Sequence, residues 1–151
     1  MKLDRSTPPE GTLRDWVDAR AEAGGTAFVF PETGEELSWP DLRAHAAEIA
    51  GDLTAEGIAK GENVAVIHHT GLEGVKAFYA AVYGGFRATM INLAAGPDAI
   101  AYALAHSEAR VAFVHDSQLE VFEKARGADL QLFAPSGTEA PLHAVDPTDD
   151  A

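Results

Sequence analysis

The sequence of 151 residues contains no cysteine. That excludes disulfides, thiolate metal centres and cysteine nucleophiles together, and it suits a cytoplasmic protein. Basic residues are scarce: 11 lysines and arginines face 24 aspartates and glutamates, a net charge of −13 with histidine neutral. Such a chain repels phosphate backbones and anionic lipid surfaces, so nucleic acid is not an expected partner. No stretch reaches the roughly 18 apolar residues of a membrane helix, so no membrane insertion is expected. Met1-Lys2-Leu3-Asp4-Arg5 has no apolar run behind it, unlike a signal peptide. Gly71-x-x-Gly74 lacks the third glycine and the acidic partner of a dinucleotide fingerprint, and no G-x-S-x-G elbow occurs.

Apolar residues are plentiful at 46%, enough for a core without covalent staples. Residues 1–11 hold turn formers without periodicity and read as a flexible arm. Thr12 with Asp15 predicts a capping box, Leu13, Trp16 and Val17 one helical face, and Gly24-Gly25 its end. Thr26 to Phe30, a turn at Pro31–Gly34 and Glu36 to Ser38 read as a hairpin. Ser38 with Asp41, and Pro40 in the first turn, open a helix over 40–56 whose face is Leu42, Ala46, Ile49 and Leu53.

From Val64 the pattern is regular. Apolar strands begin near Val64, Ala88, Val111 and Leu130. The helices between them present Leu72/Val75/Phe78/Tyr79/Val82, Ile100/Tyr102/Leu104 and Leu119/Phe122/Ala125, the last opening at Ser117. Fully apolar strands alternating with helices indicate parallel βαβ units with both faces covered. The expected fold class is therefore α/β: a Rossmann-like open, mostly parallel sheet with flanking helices, preceded by an N-terminal helix and a β-hairpin. Trp16, Trp39 and the phenylalanines are expected in the core. The divisions are an arm at 1–11, an α/β subdomain at 12–133, and an acidic, proline-containing tail or interrupted connection at 134–151.

Four stretches in order carry a family pattern. Glu36 to Leu53 is similar to the short strand, Ser/Thr-aromatic pair and helix near the start of adenylate-forming enzymes. Gly57-Ile-Ala-Lys-Gly-Glu-Asn-Val-Ala-Val-Ile67 resembles their G-[VI]-x-x-G-D-x-V-A-[VI] entry to the first parallel strand. Phe78 to Asn92 resembles F-x-A-x-x-x-x-G-A-x-x-x-x-[IL]-N, and Ala101 to Val114 the segment that follows it. Together they resemble the N-terminal subdomain of the AMP-forming acyl-CoA synthetase (adenylate-forming, AMP-binding enzyme) family over residues 12 to about 126.

The resemblance implies a parent enzyme that uses ATP, magnesium and coenzyme A to adenylate a carboxylic acid and then form its thioester. The family's phosphate loop, metal-binding glutamate, ribose-binding aspartate and C-terminal lysine lie beyond the matched stretch. No catalytic, cofactor or metal residue is thus assigned here, no cofactor is expected to bind this chain alone, and the chain is expected to be inactive in isolation. Its implied partners are the remainder of the synthetase and the parent's carboxylic acid substrate, with homo-oligomerisation through an uncovered face as a further expectation. Pro135-Ser-Gly-Thr-Glu-Ala-Pro141 follows an apolar strand as the phosphate loop would. However, Ala140 stands for the second glycine and Leu142 for the lysine, so ordinary turn residues account for it better.

His68, His69 and Thr70 follow the first parallel strand, where open α/β sheets gather ligand contacts. They are substrate-cleft candidates. Asn92 is another, with loop capping as its competing role. Adjacent histidines without further ligands make a poor metal site, and a solvent-facing loop is the alternative reading. His45 and His106 fall inside helices. His115-Asp116-Ser117 has the residue types of a hydrolase triad, but sequence neighbours do not adopt that geometry, and a helix cap at Ser117 fits better. Two alternatives stand beside the synthetase reading: a stand-alone Rossmann-like module that binds a small ligand or docks a partner, and an unrelated receiver- or flavodoxin-type domain.

Overall fold

A computed structural model of the chain describes residues 10–135, 137 and 140–146. Most of the expected arm over 1–11, together with Ser136, Thr138, Glu139 and residues 147–151, lies outside the described residues. The first helix, α1 (Leu13–Ala23), opens with the expected capping box: the Thr12 hydroxyl accepts from the Asp15 amide and the Asp15 carboxylate from the Thr12 amide. The Thr12 amide also holds the Asp15 carboxyl below its ordinary pKa. Strands β1 (Thr26–Phe30) and β2 (Glu35–Ser38) form an antiparallel hairpin. Gly34, at φ 74, turns the chain where a side chain would strain it. Ser38 then caps α2 (Trp39–Ala55) by accepting from the Asp41 amide.

The second half alternates strand and helix: β3 (Asn63–Ile67), α3 (Leu72–Gly84), β4 (Arg87–Met90), α4 (Pro97–His106), β5 (Val111–Val114), α5 (Leu119–Ala125) and β6 (Gln131–Leu132). These strands form one parallel sheet in the order β4-β3-β5-β6. Period-two alternation splits β3 between two cores. Val64 and Val66 join Val111, Phe113, Leu53 and Ala81 on the face that α2 and α3 cover. Ala65 and Ile67 join Ala112, Ile100, Leu104 and Phe122 on the face that α4 and α5 cover. Right-handed crossovers require this separation, because the chain leaves β3 in one direction through α3 and returns past it through α4.

Four side-chain expectations change. The buried residues of α3 are Gly74, Ala77, Ala80, Ala81, Tyr83 and Gly84; Val75, Phe78, Tyr79 and Val82 are half-buried. Helix α3 lies between the sheet and α2, and close helix approach selects small residues over bulky ones. Tyr102 is 66% exposed and Trp16 is 41% exposed, its indole N–H donating to the Glu10 carbonyl. Of the seven phenylalanines, Phe86, Phe113 and Phe122 are buried. The apolar end of the chain forms only the two-residue β6, both of whose residues are exposed.

Residues 140–146 cross the N-terminal edge of the sheet. The Ala140 amide donates to the Gly51 carbonyl, Leu142 packs on two core clusters, and the His143 imidazole contacts the Ile58 carbonyl at 3.0 Å. Arg14 ties this segment to α1 and α3: its Nε donates to the Tyr83 carbonyl at 2.7 Å and its Nη1 to the His143 carbonyl at 2.8 Å. The Tyr83 hydroxyl donates to Asp18, and burial followed by that bond pushes its pKa up to about 12.

Candidate functional site

The strand order places the ends of β3 and β5 side by side while their following helices depart on opposite faces. That divergence opens a crevice at the carboxyl ends of the strands, the usual ligand position in doubly wound sheets. The β3–α3 loop brings His68, His69, Thr70 and Gly71 to it, and the β5–α5 loop brings His115 and Ser117. The His115 amide donates to the Ile67 carbonyl at 2.9 Å, which joins the two loops at their roots. The rings of His68 and His69 meet that of His115 edge-on, with centroids 5.6 and 5.0 Å away.

Two cavities adjoin there. An apolar one of about 360 Å³ lies among Phe28 of the hairpin, Val75, Phe78 and Tyr79 of α3, and Met90 at the end of β4. The half-buried bulky residues of α3 thus form a cavity wall. A polar one of about 210 Å³ lies among Glu35, Glu73, Thr70 and His115. His68, His69, Thr70, Gly71 and Gly74 border both. A Cβ on Gly74 would stand 2.8 Å from the His69 carbonyl, so that glycine lets the loop fold onto α3.

The structure therefore brings His68, His69 and Thr70 together. Asn92 is elsewhere: its Oδ1 accepts from the Ala94 amide at 3.0 Å, capping a 3₁₀ turn at Leu93–Ala95, and it lines neither cavity. Sequence reasoning missed Phe28, Met90 and His115 as neighbours of this loop. Strand order and hairpin placement decide their proximity, and neither is periodic in the sequence. The cap expected at Ser117 is supplied by His115, whose Nδ1 accepts from the Ser117 amide at 3.2 Å; a 3₁₀ turn at Asp116–Gln118 then precedes α5. His45 is half-buried and His106 exposed.

Burial, reinforced by His115 and opposed by Glu73, lowers the His68 pKa below its ordinary 6.5. A base lowered on folding binds fewer protons in the folded than in the unfolded chain between the two pKa values. Its contribution to stability is thus present above about 6.5 and lost as pH falls through that value toward the folded one. His68 is expected to titrate below the unfolded-peptide midpoint by NMR, and His68→Gln to flatten the acid side of the stability–pH curve measured in urea. An identical curve for the variant would refute this.

Neutral imidazoles each offer one donor and one acceptor, and the aromatic chamber offers an apolar seat. Among the described residues no group of three or more histidine, aspartate or glutamate side chains is arranged to hold a metal ion. Of the Pro135–Pro141 loop, Ser136, Thr138 and Glu139 lie outside the described residues. Leu142, which stands where the phosphate loop's lysine would, points into the core, and His143 lies against Ile58 ahead of β3, at the opposite end of that strand from His68–Thr70. No described helix is long and apolar enough to cross a membrane.

Comparison with known proteins agrees with this architecture. The family model for AMP-binding enzymes matches residues 15–147. The acyl-CoA ligase sidI of Aspergillus fumigatus is 31% identical over 87 residues, covering 58% of this chain and 15% of that protein. A chain from structural studies of fatty acyl-adenylate ligases from E. coli and L. pneumophila superposes with a TM-score of 0.80 at 24% identity, covering 91% of this chain and 28% of that one. The N-terminal domain of FACL13 from Mycobacterium tuberculosis superposes at 0.70 with 25% identity, covering 85% of this chain and 33% of that one. The chain thus spans from about one seventh to one third of the proteins it resembles, and what it shares with them is the N-terminal α/β architecture. It belongs to the AMP-binding enzyme family.

Proposed function

We propose that this chain is the N-terminal scaffold of an ATP-dependent carboxylate–CoA ligase, which forms an acyl adenylate and then the thioester with magnesium and coenzyme A. The family match over residues 15–147 carries the reading. In it, residues 12–133 form the α/β subdomain, 1–11 an arm, and 134–151 the acidic connection. The remainder of the synthetase is the partner, and the protein works in the cytoplasm. His68, His69 and Thr70 line one wall of the carboxylic acid's cleft, while Asn92 shapes the neighbouring loop. The phosphate-binding and acyl-activating groups come from outside these residues, so the chain is inactive alone. Purified chain given ATP, magnesium, coenzyme A and a panel of carboxylic acids is expected to release no pyrophosphate. Sustained, acid-dependent release would overturn the scaffold reading.

A second reading is favoured by the apolar cavity, whose lining is supplied by the chain's own residues. A stand-alone module would seat a small ligand there. Calorimetry separates the two readings: heat on adding ATP, an acyl adenylate or coenzyme A to the isolated chain supports the module, and indifference to all three supports the scaffold.

A further inference from the structure

Ser117 links the two loops through a hydrogen-bond chain that runs in one direction. The Ser117 backbone amide donates to His115 Nδ1, so that nitrogen carries no proton. Ser117 Oγ lies 2.8 Å from the same Nδ1, a contact that requires the hydroxyl proton to point at it. The hydroxyl then has no proton left for His69 Nε2, 3.2 Å away, so the His69 ring is the donor there. Gln118 Nε2 adds a longer contact of 3.4 Å to the same oxygen. The chain runs His69 Nε2–H to Ser117 Oγ–H to His115 Nδ1, and it spans the crevice from the β3–α3 loop to the β5–α5 loop.

We propose that His69, Ser117 and His115 form a proton-sensitive latch, which holds the two loops together while His115 Nδ1 is unprotonated and parts them in acid. A proton on that nitrogen makes it a donor: the Ser117 hydroxyl can rotate to accept it, but the Ser117 amide is left facing another donor. The ring must leave, and the cap of the Asp116–Gln118 turn leaves with it. Protonation of His69 has no such effect, because its Nε2 already donates. The charged and titratable groups facing the latch are His68 and His69 on the β3–α3 loop, Glu73 of α3, which pairs with Lys76 at 2.9 Å, Asp116 beside His115, and Glu35 of β2 across the polar cavity. Gly71, at the junction of this loop with α3, makes no side-chain cap, and a Cβ there would meet nothing within 4 Å. The lowered His68 pKa agrees with a cluster that resists charge. This inference stands on the loop geometry and is independent of the ligase reading.

NMR on the whole chain tests it. Over a titration from about pH 8 to pH 5, the amides of Ser117 and Gln118 and those of Thr70 and Gly71 are expected to shift together, with one common midpoint. In Ser117→Ala the two loops lose that common midpoint. In His115→Asn, whose side-chain oxygen caps the turn without titrating, the Ser117 and Gln118 amides stay at their alkaline positions throughout. Separate midpoints in the unaltered chain, or a His115→Asn variant in which Thr70 and Gly71 titrate as before, would overturn the latch. Imidazole ¹⁵N shifts read the His115 tautomer directly at high pH; a proton on Nδ1 there also overturns it.

Discussion

Replacing Phe122 with alanine is expected to lower stability by about 3–5 kcal/mol, the range for a fully buried aromatic side chain. Phe122 has no exposed surface and is the largest fully buried side chain among the described residues. It is also the buried anchor of α5, a helix of seven residues that is too short to persist on its own propensity. The Arg126 guanidinium lies 5.7 Å from its ring and reaches back to the Leu130 carbonyl, so β6 depends on the same anchor. Urea denaturation reads the loss. Hydrogen exchange is expected to show α5 and the β5–α5 loop opening first, while α1 and α2 keep their protection. A midpoint unchanged from the parent chain would mean that the core under α4 and α5 does not depend on this ring.

Substitution of Gly84 by valine is expected to cost about 3 kcal/mol or more, at the upper end for overpacking. Helix propensity alone points the other way, since glycine within a helix is about 1 kcal/mol less favourable than alanine. Packing wins because a Cβ at Gly84 would overlap the Phe86 ring and approach the Ala50 Cβ to 2.9 Å. Both neighbours are buried, so neither has room to yield. Gly127 supplies the control: a Cβ there meets nothing within 4 Å, and Gly127→Ala is expected to change stability by no more than about 0.5 kcal/mol. Equal effects at the two positions would show that the α2–α3 approach is not sterically limited.

These two positions also show how much of the protein is legible without coordinates. Phe122 is placed correctly from spacing, because helical periodicity marks the inward face of a helix that lies on a sheet by one side. Helix α3 defeats the same reasoning. It is covered on two sides, so its buried residues other than Tyr83 are glycine and alanine and carry little hydrophobic signal, and Val75, Phe78 and Tyr79 turn toward the cavity that also holds Phe28 and Met90. The site divides in the same way. His68, His69 and Thr70 are legible as a loop at the end of a strand, a position that chain order alone supplies. His115 and Ser117 lie more than forty residues on in the sequence, and they join the loop only because β5 pairs with β3.

Local chemistry sets the caps at Thr12 and Ser38, the strands that begin near Val64 and Val111, and the family resemblance that follows from their order. Each of these rests on residues within a few positions of one another, where hydrogen-bond reach and periodicity suffice. Only the tertiary structure decides the order β4-β3-β5-β6, the inward turn of Leu142, the outward turn of Phe78 and Tyr79, and the replacement of Ser117 by His115 as a cap. Those outcomes depend on which surfaces compete for burial once distant segments meet, and that competition leaves no periodic trace in the sequence.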